Sequence, residues 1–426
     1  MNIIKNSFWN ILKNSFWNIL GVAAPALIVI PSLGMLARNL GVDLFGLYSI
    51  IFIIVGYGGL IDAGISKSVI YFISNNRANS QKILEIISTA SILIFIIALS
   101  IVFTVYISLD YILDSIIMSS HIAYEDVVFS IQMVLILIPF SILIVIYQGY
   151  IEGVENFYQL NMLRVFTTPL TTLIPALLTI YEPSLVFAVY GIIISKIISL
   201  LASVGYFYKD LGLKSYRIYF SKDVIKDIYR FGSWISISNI VSPIMNTFDR
   251  FFIASLQGVS AMGLYSAAAD AIARLTIFPV AIARVIFPIL CDQNQRDKHA
   301  GAINYSNRLL LASSVIITSS FIYFADVIIR VWFGPDFGSE TVIAFQILLV
   351  GFFFNALAQT PFNIIQARGQ SKIIALIHLT ELVPYLIMMY FLVLNYSTLG
   401  AAAGWSLRVF FDYVLLKIIE ARTDEI

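Results

Sequence analysis

Twelve apolar runs, each about the length of a membrane-crossing helix, are the feature that most restricts what this chain can become. The hydrocarbon core of a bilayer is ~30 Å thick and a helix rises ~1.5 Å per residue, so one crossing takes ~20 residues. The runs fall at Trp17–Leu36, Leu44–Ile61, Ile83–Ile107, Val127–Ile146, Leu160–Ile180 and Leu185–Tyr206. A second set follows at Trp234–Leu256, Met262–Ile289, Leu309–Phe324, Val342–Phe362, Ile373–Leu394 and Leu399–Ile419. Barrel strands would be ~10 residues of alternating polarity, which these are not. Composition agrees: 59% of the 426 residues are hydrophobic and 12% charged, with a mean hydropathy of +0.90. A water-soluble fold of that size carries about a quarter charged residues. The expected class is an all-α membrane protein of about twelve spanning helices. The first run has no following cleavage-site pattern and reads as an uncleaved helix.

Charge outside the runs sets the orientation. Eighteen Lys and Arg residues fall in one set of loops and only Arg38 and Arg330 in the alternate set, which carries Asp110, Asp114, Glu125 and Asp126. Basic loops stay in the cytoplasm, so both termini are expected inside. The longest polar segment, 209–230, is basic and reads as a solvated cytoplasmic linker between a six-helix lobe at 1–208 and another at 231–426.

The two halves look related. Gly41-Val42-Asp43-Leu44-Phe45-Gly46-Leu47-Tyr48-Ser49 recurs as Gly258-Val259-Ser260-Ala261-Met262-Gly263-Leu264-Tyr265-Ser266, and each copy joins the first two helices of its half. The same offset places Trp17 over Trp234. An even number of crossings per half gives two parallel repeats, a transporter architecture with the substrate path at the repeat interface. Lys5–Ile11 is also repeated directly as Lys13–Ile19, a local tandem duplication.

Charges inside the runs are the candidate functional residues, because each costs ~2.5–3.5 kcal/mol near the bilayer centre and must face protein or water. The bases are Arg164, Lys196, Arg250, Arg274, Arg284 and Arg408. The acids are Asp249, Asp270, Glu381 and Asp412, with Asp62 at the inner end of the second helix. Two readings compete. Asp270–Arg274 and Arg408–Asp412 are spaced i, i+4 and could neutralise each other on one helix face. Alternatively, the excess of bases lines a hydrated cavity for an anionic substrate, with Lys196 the least paired. His378 and Glu381, spaced i, i+3, could pack as a hydrogen-bonded pair or carry a coupling H+ or Na+. Prolines at depth (Pro25, Pro31, Pro139, Pro169, Pro175, Pro243, Pro279 and Pro384) bend helices, and Gly400–Gly404 is a small-residue packing face.

Enzyme signatures are missing from the sequence: there is no dinucleotide or Walker fingerprint, no HExxH and no G-x-S-x-G. The single cysteine, Cys291, makes neither an internal disulfide nor a metal motif. No cofactor is expected beyond a coupling ion, and no nucleic-acid partner.

Leu36-Ala37-Arg38-Asn39-Leu40-Gly41 running to Gly46-Leu47-Tyr48, and the Ile61-Asp62-Ala63-Gly64-Ile65 turn, resemble the leading hairpin of the Wzx-type polysaccharide flippases. Asp249-Arg250-Phe251-Phe252-Ile253 followed by Gly263-Leu264-Tyr265 resembles that family's helix-seven signature. The motifs cover about a quarter of the chain and also fit the wider multidrug/oligosaccharidyl-lipid/polysaccharide exporter superfamily. The resemblance implies a bacterial inner-membrane flippase with two six-helix lobes around a central cavity. Its implied cargo is an undecaprenyl-pyrophosphate-linked oligosaccharide for O-antigen or capsule, moved to the periplasmic leaflet by alternating access. A polymerase and a chain-length regulator are the implied partners, alongside membrane lipids. Lys196, Arg250, Arg274 and Arg408 would contact the head group. Asp249 and Asp270 would hold arginines or carry a coupling ion. Rivals are a multidrug cation antiporter, which should have an acidic cavity, and a lipid II flippase, which commonly has two more helices. A polymerase is the rival of another class and should carry a large outer loop.

Reporter fusions test the orientation: residues 110–126 should report outside and 209–230 inside, and the reverse would overturn it.

Overall fold

The computed structural model describes residues 2–57, 65–77, 79–108, 124–212, 219–291, 296–368 and 370–423. Asp62 with its turn, Asp110, Asp114, Lys214 and Arg217 lie outside the described residues. Every regular element among them is helical: α1 (Asn2–Tyr57), α2 (Ile65–Ser74), α3 (Ser80–Ile107), α4 (Tyr124–Gly153), α5 (Phe157–Tyr181), α6 (Leu185–Asp210), α7 (Lys222–Gln257), α8 (Val259–Leu275), α9 (Ile277–Cys291), α10 (Arg296–Tyr323), α11 (Ala325–Trp332), α12 (Ser339–Ala367) and α13 (Ser371–Thr423). Helices satisfy their own backbone, which lipid cannot do.

Eight helical stretches among the described residues are long and apolar enough to cross a membrane, nine with the bent α10–α11 pair. Two of the eight are double. Lys372–Arg422 runs 51 residues, or ~75 Å of helix against a ~30 Å core, and it breaks at Ser397 (φ +51°). The chain turns back on itself there: a Cβ on Gly400 would lie 2.0 Å from the Leu392 carbonyl, and one on Gly404 would lie 3.2 Å from the Met389 methyl. The stretch Ala24–Gly56 breaks likewise at Gly41 (φ +72°). Counting both as pairs and adding the bent pair gives eleven crossings among the described residues. The protein is an all-α, multi-pass membrane protein.

Residue packing separates two compact units, Met1–Leu40 with Leu47–Ile240, and Gly41–Gly46 with Val241–Ile426. In the first unit α4 is central and packs on α2, α3 and α6. Glycines set the closest approaches: a Cβ at Gly153 would meet Ile73 at 2.9 Å, and one at Gly191 of α6 would meet the Pro175 backbone of α5 at 2.4 Å. The Asn39 amide ties α1 to α5 by donating to the Ala176 carbonyl (3.3 Å) and Thr179 hydroxyl (3.2 Å). Between the helices, Arg77 lies 2.6 Å from Glu155 and holds that exposed carboxyl below its usual range. In the second unit α12 takes the central place, packed on α13, α10, α8 and α9. Its Gly351 seats the Trp405 ring, and Ser406 donates to the Ile347 carbonyl at 2.9 Å.

The division between units falls inside α7 rather than at 209–230. Residues 222–228 of the expected linker form the first turns of α7. Val224 and Ile228 are buried, while Lys222, Asp223, Lys226 and Asp227 are exposed, an i, i+4 apolar stripe on the first turns of α7. The stripe docks on the first unit: Ser68 of α2 donates to the Ile228 carbonyl at 3.2 Å, and the Ser221 amide donates to Thr89 of α3 at 3.2 Å.

Candidate functional site

Two neighbouring cavities open within the second unit, and Asn355 lines both. The larger, about 290 Å³, is walled by Asp249 and Arg250 of α7, Tyr265 of α8, and Trp405. Asp249 and Arg250 are adjacent in sequence yet both are buried, because each finds a partner on α8. The Arg250 guanidinium lies 2.7 Å from the Asp270 carboxylate, while Asp249 accepts from the Tyr265 hydroxyl and from the Arg250 amide at 2.8 Å. Arg250 Nε has no hydrogen-bond partner among the described residues.

The smaller cavity, about 210 Å³, is lined by Met245, Gln359, His378, Glu381, Arg408 and Asp412 among others. His378 Nε2 lies 3.8 Å from Asp412 Oδ1 across the two crossings of α13. Arg408 donates to the Met245 carbonyl at 3.3 Å, and its guanidinium sits 5.5 Å from the centre of the Tyr385 ring, within reach of a cation–π attraction. Neither oxygen of Glu381 finds a hydrogen-bond partner among the described residues.

Several sequence expectations change. Asp270 meets Arg250 on another helix, not Arg274 one turn along its own. His378 faces Asp412, so the proposed His378–Glu381 pair is not the contact made. The cause is the same in both cases: spacing along one helix identifies a shared face, whereas a neighbouring helix supplies the nearer partner. Arg164 lies 3.8 Å from Glu152 and 3.4 Å from Gln148 of α4, so this base is matched by an acid. The Arg284 side chain lies outside the described residues, as does Asp62.

Two deep bases remain without an acidic partner among the described residues. Lys196 is half-buried on α6 of the first unit, and Arg274 is half-buried on α8 with its Nε unsatisfied. The excess of base seen in sequence therefore does not spread over all six residues. Among the residues lining the two cavities of the second unit, Asp249, Glu381 and Asp412 stand against Arg250 and Arg408, so the described lining carries no net basic surplus. Tyr265, Tyr385, Asn355 and Trp405 were not anticipated. Only Tyr265 carried a signal, since it belongs to the repeated Gly-Leu-Tyr-Ser element. No cluster of three His, Cys, Asp or Glu side chains suited to a metal occurs among the described residues.

Removing one partner of a buried ion pair costs ~3–5 kcal/mol because the other charge is left uncompensated. Asp270→Asn should therefore lower thermal stability in detergent. A double-mutant cycle should show ~1–3 kcal/mol of coupling with Arg250→Gln and none with Arg274→Gln; coupling to Arg274 instead would overturn the pairing.

Residues 11–293 match the family described as "Polysaccharide biosynthesis protein". A Shigella flexneri protein named "Putative O-antigen transporter" is 37% identical over 422 residues, spanning 99% of this chain and 98% of the relative. Among solved structures, the lipid II flippase MurJ in an inward closed conformation superposes with a TM-score of 0.77 at 14% identity, covering 96% of this chain and 87% of that one. A MOP superfamily transporter from Pyrococcus furiosus superposes at 0.67 with 15% identity, covering 97% and 95%. At such identities the two structures speak for the fold alone, and it is the fold of membrane transporters. The family match across about two thirds of the sequence and the full-length relative agree with the motif resemblance, and the chain belongs to the polysaccharide biosynthesis protein family of multi-pass membrane proteins.

Proposed function

We propose that this protein is a flippase for a lipid-linked oligosaccharide, an undecaprenyl-pyrophosphate-bound O-antigen or capsule unit, and that it is not an enzyme. Its relation to the protein named as an O-antigen transporter supports that class of cargo. The observation that carries the chemistry is the pair of intramembrane bases with no acidic partner among the described residues, Lys196 and Arg274. A pyrophosphate brings negative charge into a low-dielectric path, and a base not already neutralised by a carboxylate is the group able to receive it. Arg250, held by Asp270, positions structure in this reading, and Arg408 is the secondary contact. The polyprenyl tail stays in lipid throughout.

Movement from the cytoplasmic to the periplasmic leaflet of a bacterial inner membrane, with both termini cytoplasmic, follows from the loop charges and belongs to the same proposal. Alternating access would come from one unit moving against the other. The four acids of the second unit give the cation-antiporter reading its one favourable observation. Here they serve the flippase instead: Glu381, without a hydrogen bond, beside His378 and Asp412, is the group suited to a coupling H+ or Na+. A polymerase and a chain-length regulator would use the delivered cargo.

Deleting the gene should leave lipid-linked units on the cytoplasmic side and abolish surface polysaccharide in a host without a second flippase; normal surface polysaccharide would count against the reading. In complementation, K196A and R274A should each lower export about 10- to 100-fold, the equivalent of one charge-assisted hydrogen bond of ~1.5–3 kcal/mol. Membrane levels should be unchanged and K196R should restore most of the loss. Full export by both alanine variants would demote the two bases to structural charges.

A further inference from the structure

The larger cavity of the second unit exists because α8 presents short side chains to it. Ala269 and Ala273, one turn apart, and Thr276 at the helix end line the space. Ala273 is exposed and marks its open side. At about 290 Å³ the cavity is close to the low end of small-molecule pockets, ~300 Å³. That is room for a sugar ring with its substituents rather than for a whole oligosaccharide.

The remaining walls combine a rigid aromatic ring with unused hydrogen-bonding groups. Trp405 is half-buried, and its six-membered ring is braced on the α12 backbone, where a Cβ on Gly351 would lie 2.6 Å from it. Gln359 reaches the backbone carbonyl of Asn355 at 3.4 Å, but the Asn355 side-chain amide has no partner among the described residues. Arg250 Nε is likewise unpaired among them. The Thr276 hydroxyl donates to the Ala273 carbonyl at 2.8 Å and retains lone pairs that accept. The charges at the cavity cancel: Arg250 is matched by Asp270 at 2.7 Å, and Asp249 stands beside it. A ligand charge of either sign would meet its like as well as its opposite.

A hydroxyl group both donates and accepts, so it satisfies an amide, a guanidinium N–H and a hydroxyl oxygen alike. One face of a pyranose is a patch of C–H bonds, whose positive ends suit the negative face of an indole. A sugar ring joins both properties in one small group. A lipid tail lacks the hydroxyls, and a phosphate lacks the apolar face.

We propose that the larger cavity of the second unit is a subsite for one uncharged sugar residue of the cargo glycan, with Trp405 stacked on the ring and Asn355 and Arg250 bonding its hydroxyls. The subsite deepens the flippase reading and rests on it for the source of the sugar. The pyrophosphate stays with Lys196 and Arg274.

Saturation-transfer NMR on the purified full-length protein tests this, because it detects weak binding. The probe is the single-repeat oligosaccharide released from the host's surface polysaccharide. Wild-type protein should transfer magnetisation to the sugar C–H protons, and inorganic pyrophosphate in equal excess should not suppress it. Asn355→Ala should weaken binding about 5- to 10-fold, the equivalent of one lost hydrogen bond. Ala273→Leu, which fills the open side without removing a polar group, should weaken it on the order of 10-fold or more. In fluorine NMR of the fluorotryptophan-labelled protein, the signal that W405F removes should move as oligosaccharide is added. Wild-type affinity in both variants, a Trp405 signal that stays fixed, or suppression by pyrophosphate would overturn the subsite. No transfer from a wild-type protein that does flip lipid-linked oligosaccharide would overturn the subsite and leave the flippase reading standing. Binding that the variants lose, in a wild-type protein that flips no lipid-linked oligosaccharide, would uphold the sugar site and reject the flippase reading.

Discussion

An ionised side chain inside hydrocarbon has no water to solvate it, and most of what is distinctive here follows from how each such charge is accommodated. Arg250 is buried because Asp270 lies 2.7 Å away on the next helix, and Asp249 beside it is buried because Tyr265 donates to it. Those contacts fix the rotation of α7 against α8. Arg408 reaches a backbone carbonyl and an aromatic face. Once these are assigned, Lys196 and Arg274 stand out by contrast. In the proposed function an anionic head group in transit is the partner of these two bases.

The same solvent constraint explains how the helices pack. Between crossings there is little hydrophobic drive, since lipid is as apolar as leucine, so close backbone approach and hydrogen bonds decide the arrangement. Gly153 against Ile73, Gly191 against Pro175, Gly351 under Trp405 and the Gly46–Gly263 crossing are all places where a Cβ would intrude. The last differs from the others. It pairs two copies of one sequence element.

Much of this was legible in the sequence. Run length gave the helices, and the Gly-Val…Gly-Leu-Tyr-Ser recurrence marked two elements that lie against each other. Asp249-Arg250 was visible as a deep, charged pair of neighbours. The partners were not legible. Helical spacing predicted Asp270 with Arg274 and His378 with Glu381, because i, i+3 and i, i+4 positions share a face. The actual contacts cross between helices, and their choice depends on rotations that no single-helix pattern encodes. The start of α7 was hidden for a related reason. Four charged residues made 222–228 read as solvated, while the two that dock, Val224 and Ile228, were too few to register against them.

The central claim is that this chain carries a lipid-linked oligosaccharide across a bilayer, and purified protein in sealed liposomes tests it most directly. Undecaprenyl-pyrophosphate-linked oligosaccharide would be placed in both leaflets and an impermeant glycan-cleaving enzyme added outside. With the protein present and its coupling gradient imposed, the inner-leaflet share should become cleavable over time, while protein-free liposomes keep it protected. An inner-leaflet share that stays protected in the presence of correctly folded protein, under either an H+ or a Na+ gradient, would contradict the account.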